Sequence, residues 1–321
     1  MESNDVSGGP LVIGLGGVGI DIVNSLDETP YRKLCMDTDH RTIESADGTD
    51  RVMFGSGMLS GEGCGGNMNL GRSVMGRYEA KVRELISGGR PLINVFGSGG
   101  GTGVPFAVEI SKMCLEMSIP FFNICIKGNN PGTASTHGNV LASILLSGPL
   151  KPGCLTTRSL QQRENEKRTH SYLPDLSRSL DIMARCYSEE ARIPLPVSIL
   201  DEIRKEDDPI GLSARVLGEK TPYPRDDKVL LAALSIPGDS SNRETYEIVE
   251  MLGLKGSHVP IGITISDEEN AFGVFIESIN SPMAFRDITG VHQIEIDYLK
   301  TLEVEGFGMD IKGTFDTDYE L

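Results

Sequence analysis

Runs of apolar residues alternate with segments of helical spacing through the first part of the chain. Leu11–Ile13, Pro91–Phe96 and Ile119–Lys127 are short and mostly apolar, which is typical of strands that a parallel sheet buries on both faces. Ile20–Leu26 and Phe106–Met117 follow two of these runs and place apolar residues at helical spacing. The alternation of strands with helices predicts an α/β fold around a parallel sheet.

The second half of the chain predicts a different arrangement. A helix is expected to begin in Leu173–Met183, where Asp175 beside Pro174 suits the first turn. Farther on, the pattern predicts a strand, a helix and two more strands. These four elements are Lys228–Ile236, Ser241–Leu252, Val259–Ser266 and Ala271–Ile279. Such an order is typical of a smaller α+β domain.

Glycines cluster where a predicted strand passes into a helix. Five of the seven residues from Gly97 to Gly103 are glycine, between the strand that ends at Phe96 and the helix that follows. Glycine permits positive φ and lets a ligand approach the main chain, and a helix start offers unpaired N–H groups. Together these features predict an anion site, most often for phosphate, to which Thr102 adds a hydroxyl. A glycine-rich surface turn is the alternative.

Two further glycine-rich segments come earlier in the chain. Gly14–Gly19 has the G-x-G-x-x-G spacing of a dinucleotide fingerprint, and Asp37 or Asp39 could supply the acidic residue that such a site needs. One hypothesis is therefore an oxidoreductase that binds NAD. Gly61–Arg72 is a third glycine-rich segment, which a dinucleotide fold leaves unexplained. Several such loops at the ends of neighbouring strands favour a nucleoside triphosphate held by backbone groups.

Composition narrows the choice of partners. The net charge is −16, which argues against nucleic acid or an anionic membrane as the main partner, because both need a basic face. A single nucleotide stays compatible, since backbone N–H groups can hold it. The six cysteines form no C-x-x-C pair and the five histidines show no metal spacing, so we expect reduced thiols and no metal bound by the protein alone. The start of the chain lacks signal-peptide features and no apolar run is long enough to span a membrane, so we expect a cytoplasmic protein.

Four motifs in order resemble the tubulin/FtsZ superfamily. Val12–Gly19 resembles its first nucleotide loop, and Asp37-Thr38-Asp39 resembles its N-T-D loop. Gly61–Arg72 resembles the FtsZ pattern G-x-G-x-G-G-N-x-x-x-G-R, and Gly99–Gly103 resembles the start of its G-G-G-T-G-[ST]-G signature. The resemblance covers roughly residues 10 to 125.

The resemblance implies a fold and a function. The expected fold is a Rossmann-like α/β GTPase domain, a central helix and a smaller α+β second domain. We assign residues 1–171 to the GTP-binding domain, 172–200 to the central helix and following loop, 201–287 to the second domain, and 288–321 to an acidic C-terminal segment. The implied cofactors are GTP or GDP with Mg²⁺. The implied partner is the protein itself, in head-to-tail filaments, with an unknown adaptor as a further partner.

The same resemblance names the residues expected to hold the nucleotide. For the phosphates they are Gly16, Gly17, Val18, Gly19, Asp21, Asp39, Gly65, Gly66, Asn67, Gly99, Gly100, Gly101, Thr102 and Gly103. Asn129 and Thr133 are expected near the ribose, because the family's charged residues are missing there. Asp181 is the first candidate for reading the guanine base and Asp175 the second, although either could be a cap or a solvated helix residue. Asp21 stands where FtsZ proteins usually carry Asn.

The catalytic motif of the family is missing. In FtsZ a second subunit supplies N-x-D-x-x-D after the central helix, and no such pattern follows residue 186 here. Asp201 and Glu202 are the closest carboxylates by position and Asp207 and Asp208 come next, although an acidic, solvated surface is the alternative. We therefore carry two hypotheses. One is a GTP-binding filament protein with weak hydrolysis, and the other is a non-hydrolysing family member that acts as a scaffold or regulates another polymer.

Overall fold

The computed structural model of the chain describes residues 9–26, 30–46, 49–126, 154–155, 173–206, 210–217, 228–252, 254 and 258–278. These residues form two sheets with a helix between them, which confirms the predicted fold class. Among them no helix is both long and apolar enough to cross a membrane. The proposed domain boundaries stay predictions, and the C-terminal segment 288–321 lies outside the described residues.

The first sheet has six strands in the order β3-β2-β1-β4-β5-β6, and every pair is parallel. Its strands are β1 (Leu11–Leu15), β2 (Arg32–Asp37), β3 (Asp50–Met53), β4 (Leu92–Gly97), β5 (Phe121–Ile126) and β6 (Cys154–Leu155). The helices between them are α1 (Gly16–Asn24), α2 (His40–Glu44), α3 (Ser56–Leu59), α4 (Met68–Ile86) and α5 (Gly103–Glu116). Because the strands are parallel, all of their carboxyl ends meet at one edge of the sheet.

Side-chain alternation along β1 explains the two layers of helices. Ile13 and Leu15 pack into a cluster with α4 and α5, whereas Val12 points to the opposite face and packs with α1. Both faces of the strand are buried, as its continuous apolar run predicts. Helix α1 begins at Gly16, inside the glycine-rich segment and earlier than the predicted Ile20. Gly16, Gly17 and Gly19 therefore lie in the first turn of the helix, and Gly14 belongs to the end of β1.

A helix, α6 (Leu173–Cys186), lies between the two sheets. On one side the Ser177 and Ser25 hydroxyls are 2.5 Å apart, which joins α6 to the end of α1. On the other side Arg178 pairs with Glu268 and its guanidinium carbon lies 4.0 Å from the centre of the Phe272 ring. The helix thus occupies the position predicted for a central helix, and polar contacts hold it to both halves of the molecule.

The second sheet has four strands in the order β7-β10-β8-β9. They are β7 (Ile210–Val216), β8 (Lys228–Pro237), β9 (Ile261–Ser266) and β10 (Phe272–Ser278). Strand β10 is antiparallel to β7 and β8, while β8 and β9 are parallel and joined by α8 (Asn242–Met251). Ser241 and Glu244 form a capping box that starts α8. A short helix, α7 (Ile199–Ile203), precedes this sheet.

A polar ladder crosses the interior of the first domain. Asn94 Nδ2 donates to Asn123 Oδ1 at 2.8 Å, and Asn123 Nδ2 donates to Ser111 Oγ at 2.7 Å. All three side chains are fully buried. Asn94 and Asn123 are direct partners in the parallel register of β4 and β5, and Ser111 belongs to α5. The ladder therefore joins two strands and one helix through side chains in an otherwise apolar core.

Candidate functional site

A cleft of about 200 Å³ opens at the carboxyl edge of the first sheet. Strands β1 and β4 end there, and helices α1 and α5 begin there within a few residues of those ends. Seven of the residues that line the cleft are glycines. They are Gly16, Gly17, Gly63, Gly65, Gly100, Gly101 and Gly103. The wall of the cleft is therefore mostly main chain.

The loops around the cleft approach each other too closely for side chains. A Cβ on Gly71 would lie 2.2 Å from the Gly101 carbonyl oxygen, and a Cβ on Gly101 would lie 2.8 Å from the Asn67 nitrogen. Gly16 has φ of +70° and would bring its Cβ to 3.2 Å from the Gly103 nitrogen. In contrast, a Cβ on Gly100 would meet no atom within 4 Å. The glycines thus both pack the loops and leave open space in front of the backbone.

The loop from Gly61 to Gly66 has an anion-binding type of backbone. Gly61, Gly63, Gly65 and Gly66 all have positive φ, between 54° and 81°. The loop is fixed to the end of β2, because the His40 nitrogen donates to the Gly61 carbonyl oxygen at 2.9 Å. Turns in which successive residues adopt such conformations point several N–H groups into one concavity. Together with two helix N-termini, this backbone is suited to phosphate.

Polar side chains form the floor of the cleft. Asp37 Oδ1 accepts hydrogen bonds from the Thr38 nitrogen at 2.6 Å and the Asp39 nitrogen at 3.3 Å. The Thr38 and Thr102 hydroxyls are 2.8 Å apart, and Thr38 Oγ1 donates to Cys64 Sγ at 3.3 Å. Thr38 therefore joins the end of β2 to two glycine-rich loops, one at each side of the cleft.

The charge of the cleft is negative before any ligand enters. Asp37, Asp39 and Glu62 line it, and the described residues that line it include no Lys, Arg or His. Asp37 is only 4% exposed. Its burial raises the pKa of the Asp37 carboxyl, which hydrogen bonds from the Thr38 and Asp39 backbone and from the Thr102 hydroxyl oppose, while the Asp39 charge adds to the rise.

The structure brings together eight of the residues predicted for the phosphates. They are Gly16, Gly17, Asp39, Gly65, Gly100, Gly101, Thr102 and Gly103. Sequence reasoning missed Glu62, Gly63 and Cys64 as lining residues and named Asp37 only as an acidic residue for a dinucleotide site. Their signal was present, since all four belong to segments that had been matched to nucleotide loops. Each stands beside a residue that had been selected, or in the same glycine-rich segment.

Six other predicted phosphate residues lie next to the cleft without lining it. They are Val18, Gly19, Asp21, Gly66, Asn67 and Gly99. Gly19 has a packing role, because a Cβ there would lie 2.1 Å from the Val95 carbonyl oxygen and would push α1 away from β4. The Asn67 side chain caps α4, since its Oδ1 accepts from the Leu70 nitrogen at 3.1 Å.

The structure corrects the assignment of Asp181 to the guanine base. Asp181 Oδ1 accepts from the Tyr31 hydroxyl at 2.6 Å, and Oδ2 accepts from Arg185 Nε at 2.8 Å. Tyr31 precedes the amino end of β2, whereas Asp37 in the cleft is the last residue of that strand. At about 3.3 Å per residue, the two ends of β2 are roughly 17–20 Å apart. Asp181 is therefore a structural ion-pair residue far from the cleft, and Asp175, earlier on α6, stays a prediction.

Two of the four carboxylates proposed for catalysis, Asp201 and Glu202, lie at the other edge of the sheet. Asp201 and Glu202 are in the first turn of α7, and Asp201 Oδ1 lies 3.0 Å from Arg204 Nη2. The Arg204 guanidinium carbon lies 4.9 Å from the centre of the Phe121 ring, at the amino end of β5. These two carboxylates cannot reach the cleft of their own chain. Asp207, Asp208, Asn129 and Thr133 lie outside the described residues.

Comparisons of sequence with known proteins match only part of the chain. No protein-family model matches the chain. The cell division protein FtsZ of Neisseria gonorrhoeae is 31% identical over 107 residues, which is 32% of this chain and 27% of that protein. The chain thus matches about a quarter of the length of this curated relative.

Solved structures show likeness over most of the chain. An empty FtsZ dimer of M. jannaschii has a TM-score of 0.69 at 14% identity, covering 86% of this chain and 89% of that one. A GTPγS-bound protofilament of CetZ2 from Haloferax volcanii has a TM-score of 0.63 at 14% identity, covering 91% and 99%. The architecture is therefore the tubulin/FtsZ fold. The sequence match to FtsZ covers about a third of the chain, and the likeness in architecture covers most of it.

Proposed function

We propose that the chain binds a guanine nucleotide in the cleft and assembles head to tail into filaments. The observation that carries the proposal is the glycine backbone at the carboxyl edge, where two helix N-termini and a loop of positive-φ glycines converge. Polyphosphate is the ligand class that such a site suits best. CetZ2, which has the same fold, is described as a GTPγS-bound protofilament.

The residues of the cleft fit the phosphates of a nucleotide. Gly65 and Gly100 face open space, so their backbone can approach an anion closely. Thr102 is the last residue before α5, and its hydroxyl lies in the cleft, 2.8 Å from that of Thr38. A volume of about 200 Å³ suits the phosphates, and the base and ribose need contacts from residues beyond the cleft. Asn129, Thr133 and Asp175 are our candidates for these contacts.

Mg²⁺ would enter the site with the nucleotide. Within the described ranges, no group of three or more His, Cys, Asp and Glu side chains is arranged to hold a metal ion. The oxygens of the phosphates are ligands that Mg²⁺ prefers, so the nucleotide would supply its main coordination. We assign no side chain of this chain as a ligand.

The positions of the cleft and of α7 favour head-to-tail assembly. The cleft lies at the carboxyl edge of the first sheet, and Asp201 and Glu202 lie at the amino edge. Only a second copy, stacked with the same orientation, could place these carboxylates over the cleft. Such a contact is heterologous and leaves both ends of the assembly open, so it propagates as a filament.

A non-hydrolysing member of the superfamily is the second candidate. The observation that favours it is the ion pair between Asp201 and Arg204, which competes with any role for Asp201 in orienting water. The N-x-D-x-x-D pattern is also missing. Such a protein would bind nucleotide as a structural cofactor and act as a static filament, a scaffold or a regulator of another polymer.

Phosphate release from GTP, measured against protein concentration with pelleting of the same samples, tests both candidates. Turnover and pelleting that begin together above a critical concentration would support a dynamic polymer whose site is completed between subunits. Pelleting without turnover would support the non-hydrolysing member. A protein that retains no guanine nucleotide and does not pellet at any concentration would overturn the proposal.

A further inference from the structure

A buried carboxyl in an anion site is the feature with no role so far. Asp37 lines the cleft, is 4% exposed and stands at the carboxyl end of a central strand. The surrounding backbone is suited to phosphate, which repels an ionised carboxylate. A strand end that serves only to bind phosphate has no need of a carboxylate. An explanation of Asp37 must therefore consider both the charge of the ligand and the charge of the Asp37 carboxyl.

We propose that Asp37 takes up a proton when a polyphosphate enters the cleft, so that nucleotide affinity rises as the pH falls. The inference rests on the proposed function, because it requires a polyphosphate as the occupant. Under this proposal, the charge of Asp37 determines how strongly the binding affinity of the cleft falls as the negative charge of the ligand increases.

The groups that face Asp37 support this coupling. Asp39 from the start of α2 and Glu62 from the third loop are acidic, and Cys64 and Thr102 are neutral polar groups. The first turn of α1 contributes Gly16 and Gly17, which carry no charge. His40 follows Asp39 but pairs with Glu44 on its own helix, its Nδ1 lying 3.3 Å from a Glu44 oxygen. Apart from the Mg²⁺ that it carries, a bound polyphosphate would thus meet carboxylates and no cationic side chain among the described lining residues.

Asp37 is the carboxyl of the cleft to which we assign the proton. Burial already raises its pKa before a ligand binds, and a neighbouring polyanion raises it further. Asp39 is held as a helix cap, because its Oδ1 accepts from the Arg41 and Thr42 nitrogens at 2.8 Å and 3.2 Å. Glu62 is exposed and is screened by water. Oδ1 of Asp37 already accepts two backbone hydrogen bonds, so the proton belongs on Oδ2.

The size of the effect follows from linkage. When one proton is taken up for each nucleotide bound, the dissociation constant changes up to about tenfold per pH unit between the pKa values of the free and bound states. Affinity is highest below the pKa of the free protein and falls as the pH rises. Asp37→Asn imitates the protonated carboxyl, keeps an oxygen for the backbone N–H groups, and removes the coupling.

The experiment is calorimetric titration of the full chain with Mg-GDP and Mg-GTP between pH 6 and pH 8 in buffers of two ionisation enthalpies. The wild type is expected to take up more protons per nucleotide than Asp37→Asn. At pH 8 the variant is expected to bind at least tenfold more tightly. The terminal phosphate also titrates, near pH 6 by analogy with phosphate monoesters, but it contributes equally to both proteins. Glu190→Gln is the control, because it removes an exposed carboxylate outside the cleft and should keep the proton uptake of the wild type.

Three outcomes distinguish a failure of this inference from a failure of the proposed function. Equal proton uptake and equal pH slopes in the wild type and Asp37→Asn would overturn this inference while leaving nucleotide binding intact. No binding by either protein at any pH would instead overturn the proposed function. If Asp37→Asn does not fold, proton uptake by the wild type still decides the matter, because uptake no greater than that of the phosphate alone would overturn the inference.

Stability gives a second readout that needs no nucleotide. A carboxyl whose pKa is raised by folding contributes stability that is complete below its unfolded pKa and is lost as the pH rises through the folded pKa. Asp37→Asn lacks this loss. Its melting temperature should therefore exceed that of the wild type at pH 8, and the difference should shrink as the pH falls toward 4. A difference that does not vary with pH would contradict the burial of a titrating carboxyl.

Discussion

The two edges of the six-stranded sheet use different parts of the chain. At the carboxyl edge the cleft is walled by glycine backbone, and its glycine-rich segments are visible in the sequence. At the amino edge, α7 is held by side chains, with Arg204 over Phe121 and beside Asp201. A site built from main chain needs glycines at a characteristic spacing, and that spacing can be recognised in the sequence. The side-chain contacts at the other edge correspond to no motif in this chain. The glycine cleft lies at the carboxyl edge, and Asp201 and Glu202, two of the carboxylates proposed for catalysis, lie at the amino edge.

A methyl group at the carboxyl edge should have the largest effect. Gly71→Ala puts a Cβ 2.2 Å from the Gly101 carbonyl oxygen, so the two loops must separate. We expect loss of guanine nucleotide binding and destabilisation of about 2–3 kcal/mol, as for an overpacked core. Retained nucleotide after purification and urea unfolding measure the two effects.

Gly76→Ala is the matched control for this change. It lies on the same helix, α4, and its Cβ would meet no atom within 4 Å. Replacing an exposed helical glycine by alanine should stabilise the protein by up to about 1 kcal/mol and leave nucleotide binding unchanged. Equal behaviour of the two variants would show that the loop contact at Gly71 does not shape the cleft.

Carboxylates at the amino edge should have the next largest effect, and only on turnover. If the protein hydrolyses GTP, alanine at one or more of Asp201, Glu202, Asp207 and Asp208 should lower turnover at least about 100-fold, the lower range for a residue that moves or orients a proton. GTP binding should not change, because Asp201 and Glu202 lie far from the cleft of their own chain. Phosphate release and nucleotide retention are the measurements.

Glu190→Ala removes the same charge outside α7 and serves as the control, since Glu190 is exposed after α6. Full turnover in all four alanine variants would eliminate these carboxylates as catalytic groups. A loss of GTP binding in any variant would instead contradict the assignment of nucleotide binding to one edge of the sheet and of turnover to the other.

The smallest effect is expected at Asp181. Asp181→Asn weakens the contacts with Tyr31 and Arg185, so unfolding should need about 1 kcal/mol less free energy. Preference for guanine over adenine nucleotides should not change, because Asp181 lies at the amino end of β2. Tyr31→Phe removes one of the same hydrogen bonds and should act in the same direction. A lost guanine preference in Asp181→Asn alone would restore the original assignment.

The sequence predicted β1, β4 and β5 of the first sheet and the glycine cleft, because both depend on local patterns, whereas β3 was not predicted. Buried strands such as β4 give continuous apolar runs, and close loop contacts such as Gly71 with Gly101 require glycine. In the second sheet β8, α8, β9 and β10 follow their predicted order, with α8 capped at Ser241, whereas β7 was not predicted. Periodicity predicts an element without its distance from a site, so Asp181 was placed on the correct helix at the wrong end of the sheet.

The importance of Asp37 could not be predicted from its neighbours in sequence. Its position within an acidic triplet suggested that Asp39, which comes later in the loop, would face the ligand. Only the fold shows that Asp37 is buried at the floor of the cleft and that Thr38 connects it with Thr102 and Cys64. The burial of the Asp37 carboxyl and the charges around it depend on three loops that are far apart along the chain.

The ladder of Asn94, Asn123 and Ser111 has a consequence for how the chain folds. A parallel pair such as β4 and β5 consists of similar apolar residues, so pairings displaced by two residues would bury nearly the same surface. Any displaced pairing would separate the two amides in a dry interior, at roughly 1–3 kcal/mol for each polar group left unpaired. The ladder thus makes the native register of β4 and β5 more stable than a displaced one, and the same hydrogen bonds hold Ser111 of α5 against the sheet.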